Sequence, residues 1–202
     1  MRLREGMMAL GLGELGIEKL EAYVGLIEKW NRVYNLTAIR EREKMISHHL
    51  LDSLAILPHI EGKRAADVGS GAGLPGIPMA ITRPDRQVTL IESNQKKAAF
   101  LRQAIIELEL ENADVLDERV ESIEDGAFDL IVSRAFSELA DFLCLSRRLC
   151  AKHGRFAAMK GQYPEKELLR IPEWAVVEAV IPLRVPGLDG ERHLVIMKLE
   201  TD

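Results

Sequence analysis

The stretch Asp67-Val68-Gly69-Ser70-Gly71-Ala72-Gly73-Leu74-Pro75-Gly76 decides the fold. It begins inside a short apolar segment, 65–69, and leads into a second one, 75–82. Glycines between a strand and a helix let the backbone approach a ligand closely and leave N–H groups to bind it. Pro75 suits the first turn of a helix, where the missing N–H costs nothing. The stretch therefore predicts a buried strand, a ligand-binding turn and a helix.

Strands and helices continue to alternate after this turn, which is typical of a parallel sheet covered on both faces. The apolar patterns predict strands at 65–69, 87–91, 113–116, 128–133, 155–160, 174–182 and 192–199, and helices at 75–82, 95–110, 138–151 and 164–170. The last two strands flank the turn 186–190, so they predict an antiparallel hairpin. We expect an α/β fold of the Rossmann-like type, with a mostly parallel seven-stranded sheet.

The first 60 residues have a different pattern. Helical spacing of apolar residues covers 14–33 and 42–57, and the connector between them contains Trp30, Tyr34 and Asn35. The pattern changes at Glu61-Gly62-Lys63. We therefore predict an N-terminal helical cap over residues 1–60 and a core over residues 61–202 that forms one compact unit.

Composition excludes several classes of protein. The 202 residues are 47% hydrophobic and 29% charged, which is typical of a globular protein and not of a disordered chain. Two cysteines, Cys144 and Cys150, are too few for a disulfide framework or a cysteine-rich metal site. No segment is long and apolar enough to cross a membrane, so we expect a cytoplasmic protein without a membrane partner.

The net charge of −5 argues against a nucleic-acid ligand, but its distribution does not. Residues 107–129 contain ten acids and one base, which leaves the rest of the chain with a net charge of +4. One acidic side can coexist with a basic face, so a polyanionic partner is permitted.

Two ligand patterns compete for the glycine-rich turn. Gly71, Gly73 and Gly76 match the dinucleotide spacing, whereas Asp67, Gly69, Gly71 and Gly73 match the acid-plus-three-glycine turn of S-adenosylmethionine sites. The second register fits better, because the first glycine of a dinucleotide turn directly closes the strand. Gly69 directly closes the strand, but in that register Leu74 occupies the position of the third glycine. An aspartate at the end of the strand, Asp67, also favours a ligand with a cationic amino group over a pyrophosphate.

Other candidate ligands follow the neighbouring strands, whose carboxyl ends border the binding crevice of such sheets. Glu92 ends the second strand and suits ribose hydroxyls, which NAD and S-adenosylmethionine share. Val120 and Glu121 lie after the third strand, where they would either border an adenine or simply start a helix. Arg134 ends the fourth strand and would stack on a ring, hold a phosphate or form a structural ion pair.

The sequence resembles the glucose-inhibited division protein B (RsmG) family of bacterial 16S ribosomal RNA guanine-N7 methyltransferases, nearly from end to end. The motifs that carry the resemblance are Trp30-Asn31-x-x-Tyr34-Asn35-Leu36-Thr37, His49-Leu50-Leu51-Asp52-Ser53, Asp67 to Pro78, Phe100-Leu101-Arg102, Ser133-Arg134-Ala135, Met159-Lys160-Gly161 and Leu188 to His193. Many unrelated enzymes share a glycine-rich turn, but few share these motifs together. The resemblance implies the class I methyltransferase fold.

The resemblance also implies a cofactor and a substrate. The cofactor would be S-adenosyl-L-methionine, and the partner would be 16S ribosomal RNA within the small subunit or an assembly intermediate. We expect a monomer. The implied cofactor contacts, together with those expected from the turn and the strand ends, are Asp67, Gly69, Ser70, Gly71, Gly73, Leu74, Glu92, Val120, Glu121 and Arg134.

Guanine N7 carries a free lone pair at neutral pH, so its methylation needs no general base. Alignment and charge control would then carry catalysis, with Arg134 and Lys160 positioning the base or its phosphate. The expected RNA contacts are Asn35, Arg102, Lys160, Arg192 and His193. Trp30 and Tyr34 would either stack on RNA bases or pack the cap. No metal site is expected, because His48 and His49 are adjacent on a helix and point about 100° apart.

Three alternatives stay open on the sequence alone. The first is an NAD-dependent oxidoreductase that uses the glycine-rich turn. The second is a non-catalytic RNA- or nucleotide-binding module with the same fold. The third is a methyltransferase for a small molecule or a protein, because fold alone does not select a substrate.

Overall fold

Seven strands form a single sheet in the structure, a computed structural model that describes residues 3–124, 126–134, 136 and 138–200. Asp125 of the acidic segment and Ala135 of the Ser133-Arg134-Ala135 motif lie outside these residues. The strands are β1 (Arg64–Val68), β2 (Gln87–Ile91), β3 (Ala113–Leu116), β4 (Phe128–Ser133), β5 (Cys150–Lys160), β6 (Ala175–Pro182) and β7 (His193–Leu199).

The sheet is parallel from β3 to β5 and ends in an antiparallel hairpin. Its order is β3-β2-β1-β4-β5-β7-β6. β7 pairs antiparallel with both β5 and β6, and Lys160 lies opposite His193 in the first of these pairs. The predicted Rossmann-like α/β fold with a C-terminal hairpin is therefore confirmed. The carboxyl ends of β1, β2, β3, β4 and β5 lie along one edge.

Eight α-helical segments cover the sheet and build the cap in the described part of the chain. They are α1 (Leu3–Ala9), α2 (Ile17–Tyr34), α3 (Arg42–Met45), α4 (Asp52–Leu54), α5 (Gly76–Thr82), α6 (Gln95–Glu107), α7 (Leu139–Ser146) and α8 (Glu165–Leu168). Asn94 caps α6, because its side chain accepts from the backbone N–H groups of Lys96 and Lys97 at 3.1 and 3.2 Å.

The cap packs on the core through aromatic side chains. Trp30 of α2 contacts Phe100 of α6 edge to face at a ring distance of 5.6 Å, and Tyr23 stacks on Phe100 at 6.5 Å. Tyr23 and Phe100 are completely buried, and one apolar cluster contains side chains of both the cap and the sheet. Trp30 thus packs the cap on the core, while Tyr34 is 40% exposed. The boundary at residue 60 stays a prediction.

Two predicted helices are wrong in detail. The segment 42–57 is not one α-helix, because a π-helical turn, Ile46–Leu51, separates α3 from α4. Such turns break the regular α-helical spacing and are frequent at functional sites. The prediction for 138–151 is too long: α7 ends at Ser146, and β5 already begins at Cys150.

Gly154 lies inside β5. A Cβ atom there would lie 2.7 Å from the carbonyl oxygen of Phe128, so the glycine permits a close approach of β4 and β5.

The sequence prediction also missed α1. Among the described helices, none has the length and apolar character that crossing a membrane requires.

Candidate active site

The glycine-rich turn folds against the end of β2. Gly69 and Ser70 donate backbone N–H groups to the Ile91 carbonyl at 2.9 and 3.1 Å, and Gly73 donates to the Ser70 carbonyl at 2.7 Å. Gly69, Gly71 and Gly73 have φ values of 70°, 59° and 88°. Residues with side chains rarely adopt this left-handed conformation, so the turn depends on its glycines. Leu74 continues the turn and is buried.

Asp67 lies beneath this turn with no exposed surface. Its Oδ2 accepts from the Gly76 N–H at 2.9 Å, while Oδ1 is buried without a hydrogen-bond partner. Burial raises the pKa of Asp67 to about 7, against which the Gly76 hydrogen bond acts. The side chain therefore shapes the turn from below, and a ligand in the crevice does not reach it directly in this conformation.

Glu92, at the end of β2, joins the turn to the helix that follows. One carboxylate oxygen accepts from the Gly71 N–H at 2.8 Å, and the other accepts from the Asn94 N–H at 2.8 Å. The carboxylate is thus fixed in one orientation beside the turn. Each oxygen has a further lone pair with which it can accept a hydrogen bond from a hydroxyl group.

Tyr23 supports the turn from the cap, and sequence analysis missed it. Its hydroxyl donates to the Ala72 carbonyl. Burial, the dominant effect, raises the pKa of Tyr23 well above its ordinary value, so the hydroxyl keeps its proton. The apolar spacing of α2 predicts Tyr23 as a core residue, but no local pattern indicates a partner 49 residues away.

Replacing Tyr23 by phenylalanine is expected to lower the free energy of unfolding by about 1–2 kcal/mol, because the Ala72 carbonyl then loses its donor in a buried place. Affinity for S-adenosylhomocysteine is expected to fall with it. Urea unfolding and titration calorimetry measure the two effects. Tyr34→Phe is the matched control, since that ring is 40% exposed. An unchanged unfolding curve for Tyr23→Phe would contradict the role of the hydroxyl.

Val120 and Glu121 lie beyond the end of β3. They form a short 3-10 helix, Val120–Ser122, in which Val120 is partly buried and Glu121 is exposed. The Glu121 carbonyl accepts from Arg148 Nη2 at 3.0 Å. The two residues border the same edge of the sheet as the glycine-rich turn.

Arg134 follows β4 and is joined to Arg192 by one carboxylate of the cap. Arg134 Nη1 lies 3.2 Å from Asp52 Oδ2 and also donates to the His48 carbonyl at 3.2 Å. Arg192 Nε lies 2.9 Å from Asp52 Oδ1. Asp52 is buried, and about a quarter of each arginine side chain is exposed. The structure therefore shows the ion pair that was one alternative for Arg134, with a partner that the sequence did not indicate.

Lys160 and His193 lie side by side where β5 ends and β7 begins. Lys160 Nζ lies 2.6 Å from Glu167 Oε2 and donates to the Phe136 carbonyl at 3.1 Å, so its charge is compensated within the protein. His193 Nδ1–H donates to the Gly161 carbonyl at 3.0 Å.

The remaining two predicted RNA contacts lie on helices. Arg102 of α6 is half exposed and forms a 3.4 Å ion pair with Asp117, just past β3. Asn35 ends α2 with φ 48°, and its Oδ1 accepts from Arg40 Nη2 at 3.3 Å. Asparagine tolerates this left-handed conformation, so a role as helix cap explains it without RNA.

His49 is buried in the cap, near Arg134 of the core. Its Nε2 lies 2.8 Å from Thr37 Oγ1, and burial lowers its pKa to about 4. Within residues 3–124, 126–134, 136 and 138–200, no three histidine, cysteine or acidic side chains are grouped so that they could hold a metal ion.

A groove of about 850 Å³ lies elsewhere on the described surface. It is at the amino ends of the strands, where Gln87 starts β2 and Asn112 precedes β3. Arg4 at its rim is paired with Glu14 at 3.1 Å. Ligands of parallel sheets bind beyond the carboxyl ends, so we place the active site at the glycine-rich turn and not in this groove.

This sheet order, the glycine-rich turn and the carboxylate after β2 define the class of S-adenosylmethionine-dependent methyltransferases. A SAM-dependent methyltransferase from Aquifex aeolicus has a TM-score of 0.56 and 20% identity, covering 76% of this chain and 92% of that one. M. jannaschii TYW2 in complex with AdoMet has a TM-score of 0.55 and 17% identity, covering 73% and 72%. Both similarities show the fold.

Sequence comparison identifies the family. The family model for rRNA small subunit methyltransferase G, GidB, matches residues 16–195. Ribosomal RNA small subunit methyltransferase G of Nitrosospira multiformis is 54% identical over 98% of this chain and 96% of its own length. Its counterpart in Neisseria meningitidis is 55% identical over 97% and 96%. The chain belongs to the rRNA small subunit methyltransferase G family.

The chain is therefore a methyltransferase enzyme with S-adenosylmethionine as cofactor. The family resemblance inferred from the sequence motifs is confirmed. The NAD-dependent oxidoreductase and the non-catalytic binding module are not favoured by these findings.

Proposed function

We propose that this protein transfers the methyl group of S-adenosylmethionine to N7 of one guanine in the 16S RNA of the small ribosomal subunit. The observation that carries the proposal is the 54% identity, over nearly the whole chain, to a protein named as a small-subunit ribosomal RNA methyltransferase. The guanine and its N7 atom are implied by the resemblance to the family, which motifs such as Ser133-Arg134-Ala135 carry.

The side chains and backbone at the glycine-rich turn fit the cofactor. A Cβ on Gly71 would meet only the Gly69 carbonyl, at 3.9 Å, so open space borders the turn there. Glu92 is fixed beside this space and is proposed to accept from the ribose hydroxyls. Gly69, Ser70, Gly73 and Leu74 would provide the backbone contacts, with Val120 and Glu121 against the adenine.

Two carboxylates support the binding of a cation beside the glycine-rich turn. Glu92 lies at the crevice, and Asp67 lies directly below the turn. A negative potential beneath the turn favours the amino and sulfonium groups of S-adenosylmethionine over a pyrophosphate. Asp67 would act through this potential and through the shape of the turn, and not by contact.

When bound, S-adenosylmethionine supplies a methyl group on a positively charged sulfur, which a neutral nitrogen lone pair can take without prior loss of a proton. The protein then has to bring N7 into line and to control charge. Arg134 is proposed to orient the guanine or the cofactor at the methyl-transfer end. Lys160, which is ion-paired with Glu167, would act mainly by holding the end of β5.

The reaction is expected to show no general base in its pH profile. At saturating cofactor and RNA, kcat should vary by less than about threefold between pH 6.5 and 8.5, because N7 is unprotonated throughout. His49 stays neutral in this range because its pKa is about 4, and the titration of Asp67 near pH 7 would act on cofactor affinity, which saturating cofactor removes from kcat. A stopped assay with labelled cofactor measures the profile. A loss of about tenfold per pH unit, typical of one titrating base, would contradict the mechanism.

The decisive experiment incubates the protein with methyl-labelled S-adenosylmethionine and small subunits that lack the modification, and then maps the labelled nucleotide. Label on one guanine N7 of 16S RNA is the expected result. Label on another base, or on a ribosomal protein, would overturn the proposal. No label, with S-adenosylhomocysteine still bound, would keep the methyltransferase and return its substrate to unknown.

We further propose that the substrate is an assembled small subunit or an assembly intermediate, that the protein acts as a monomer and that it works in the cytoplasm. The net charge of −5 supports weak binding to naked RNA, so a folded particle would have to supply part of the recognition. Tight binding to unfolded 16S RNA at physiological salt would contradict this. Sedimentation of the free protein tests the oligomeric state.

A further inference from the structure

One buried carboxylate of the cap links two arginines of the core. Asp52, the first residue of α4, directly follows the π-helical turn. Each of its oxygens takes one guanidinium, Arg134 at 3.2 Å and Arg192 at 2.9 Å. These two arginines are 58 positions apart in sequence and come from the ends of different strands. Arg134 has a role in the proposed methyl transfer and Arg192 is an expected RNA contact, but Asp52 has no role in either.

The arrangement fixes the arginines without cancelling their charge. One negative and two positive groups leave a net charge of +1 beside the crevice. Each guanidinium has five N–H donors, and the carboxylate takes one from each. The His48 carbonyl accepts a second bond from Arg134 Nη1, and the Glu191 carbonyl accepts from Arg192 Nη1 at 2.8 Å. Both side chains stay partly exposed, so donors remain for a ligand.

We infer that Asp52 is a positioning residue of the active site, which holds Arg134 toward the cofactor turn and Arg192 toward an RNA phosphate as one unit. A guanidinium fixed by a buried carboxylate loses little further freedom when it binds an anion. The cap would thereby contribute to catalysis from inside the crevice. This inference rests on the proposed function, because it takes RNA as the ligand of Arg192.

The test replaces Asp52 by asparagine, which keeps the shape and removes the charge. We expect kcat/KM on small subunits to fall about 10- to 100-fold, with a higher KM for the particle and weaker binding of S-adenosylhomocysteine. Glu178→Gln is the matched control. Glu178 of β6 also joins two cations, Arg155 at 2.6 Å and Lys198 at 3.1 Å, but Arg155 lies in the middle of β5, away from its carboxyl end. That variant is expected to change kcat/KM less than about twofold.

A double-mutant cycle separates positioning from a structural role. If Asp52 acts through Arg192, then Asp52→Asn has a much smaller effect on kcat/KM in an Arg192→Gln background than in the wild type. If Asp52 only stabilises the fold, Asp52→Asn lowers kcat/KM by the same factor in the wild-type and Arg192→Gln backgrounds. The loss of kcat/KM then accompanies a lower unfolding midpoint, and the inference is wrong. Asp52→Asn leaves the guanidiniums of Arg134 and Arg192 without their carboxylate, so this variant could fail to fold. The double variant lacks the guanidinium of Arg192, and its kcat/KM is then compared directly with that of Arg192→Gln.

Assaying the wild type distinguishes failure of the proposed function from failure of the inference about Asp52. The wild type is assayed first, and absence of N7 label on every particle tested removes the RNA methylation proposal. The role of Asp52 is then decided by binding alone. Calorimetry with S-adenosylhomocysteine reports on Arg134, and the salt dependence of 16S RNA binding reports on Arg192. Unchanged affinity in both measurements for a folded Asp52→Asn variant would overturn the inference.

Discussion

Replacing Gly73 by alanine is expected to lower the free energy of unfolding by about 2–5 kcal/mol and to abolish detectable binding of S-adenosylhomocysteine. Gly73 has φ 88°, a conformation that costs a residue with a Cβ about 1–2 kcal/mol. A Cβ there would also lie 2.8 Å from Ile77 and 2.9 Å from Leu101, which are packed side chains of the core. Such overpacking adds about 1–3 kcal/mol. Urea unfolding and calorimetry measure the two effects.

Gly71→Ala is the matched control for this prediction. Gly71 lies two residues earlier in the same turn with φ 59°, but a Cβ there meets nothing closer than the Gly69 carbonyl at 3.9 Å. We expect it to cost only the conformational part, about 1–2 kcal/mol. Equal losses of stability in the two alanine variants would show that steric overlap with Ile77 and Leu101 does not distinguish the positions.

The sheet could be predicted from the sequence because its signals are local. β2, β3 and β4 were predicted with the bounds that the structure has, from apolar runs between turn residues. The hairpin followed from the turn before β7, and the ligand-binding turn followed from the order strand, glycines and helix. These features depend on residues within about ten positions of one another, which is the range over which such patterns are informative.

The contacts that hold the site could not be predicted, since they join distant segments. The partner of Tyr23 is 49 residues away, and Asp52 pairs with residues 82 and 140 positions later. One signal for Asp52 was present, because an acid directly follows two leucines in His49-Leu50-Leu51-Asp52-Ser53. A buried charge needs a partner, but the sequence does not say which of the basic residues provides it.

The same contacts change how the cap is understood. The sequence pattern predicts a separate helical cap over residues 1–60, with aromatic side chains as candidate RNA contacts. In the structure, Tyr23 of α2 donates to the glycine-rich turn, and the π-helical turn with Asp52 supports the arginines. A substitution in this part of the cap is therefore expected to affect cofactor binding as well as RNA binding.

Asp67→Asn is expected to remove a dependence of stability on pH. Burial raises the pKa of Asp67 from 3.8 in the unfolded chain to about 7, so the folded state favours the protonated form. Its contribution to stability is then fully present below about pH 4 and is lost as the pH rises through 7. Relative to Asp67→Asn, the wild type should lose about 2–3 kcal/mol of unfolding free energy between pH 5 and pH 8, at 1.36 kcal/mol per pH unit up to the folded pKa.

Urea unfolding of both proteins at several pH values between 5 and 8 measures this difference. Asp114→Asn, which removes an exposed carboxylate of β3, controls for the change in net charge. Parallel curves for the wild type and Asp67→Asn would show that the carboxyl group titrates alike in both states, and that burial beneath the turn is not costly. The expected result has a functional meaning, because the charge that burial disfavours lies under the turn that is proposed to bind a cation. The enzyme would then give up stability near neutral pH to keep a negative potential at its cofactor site.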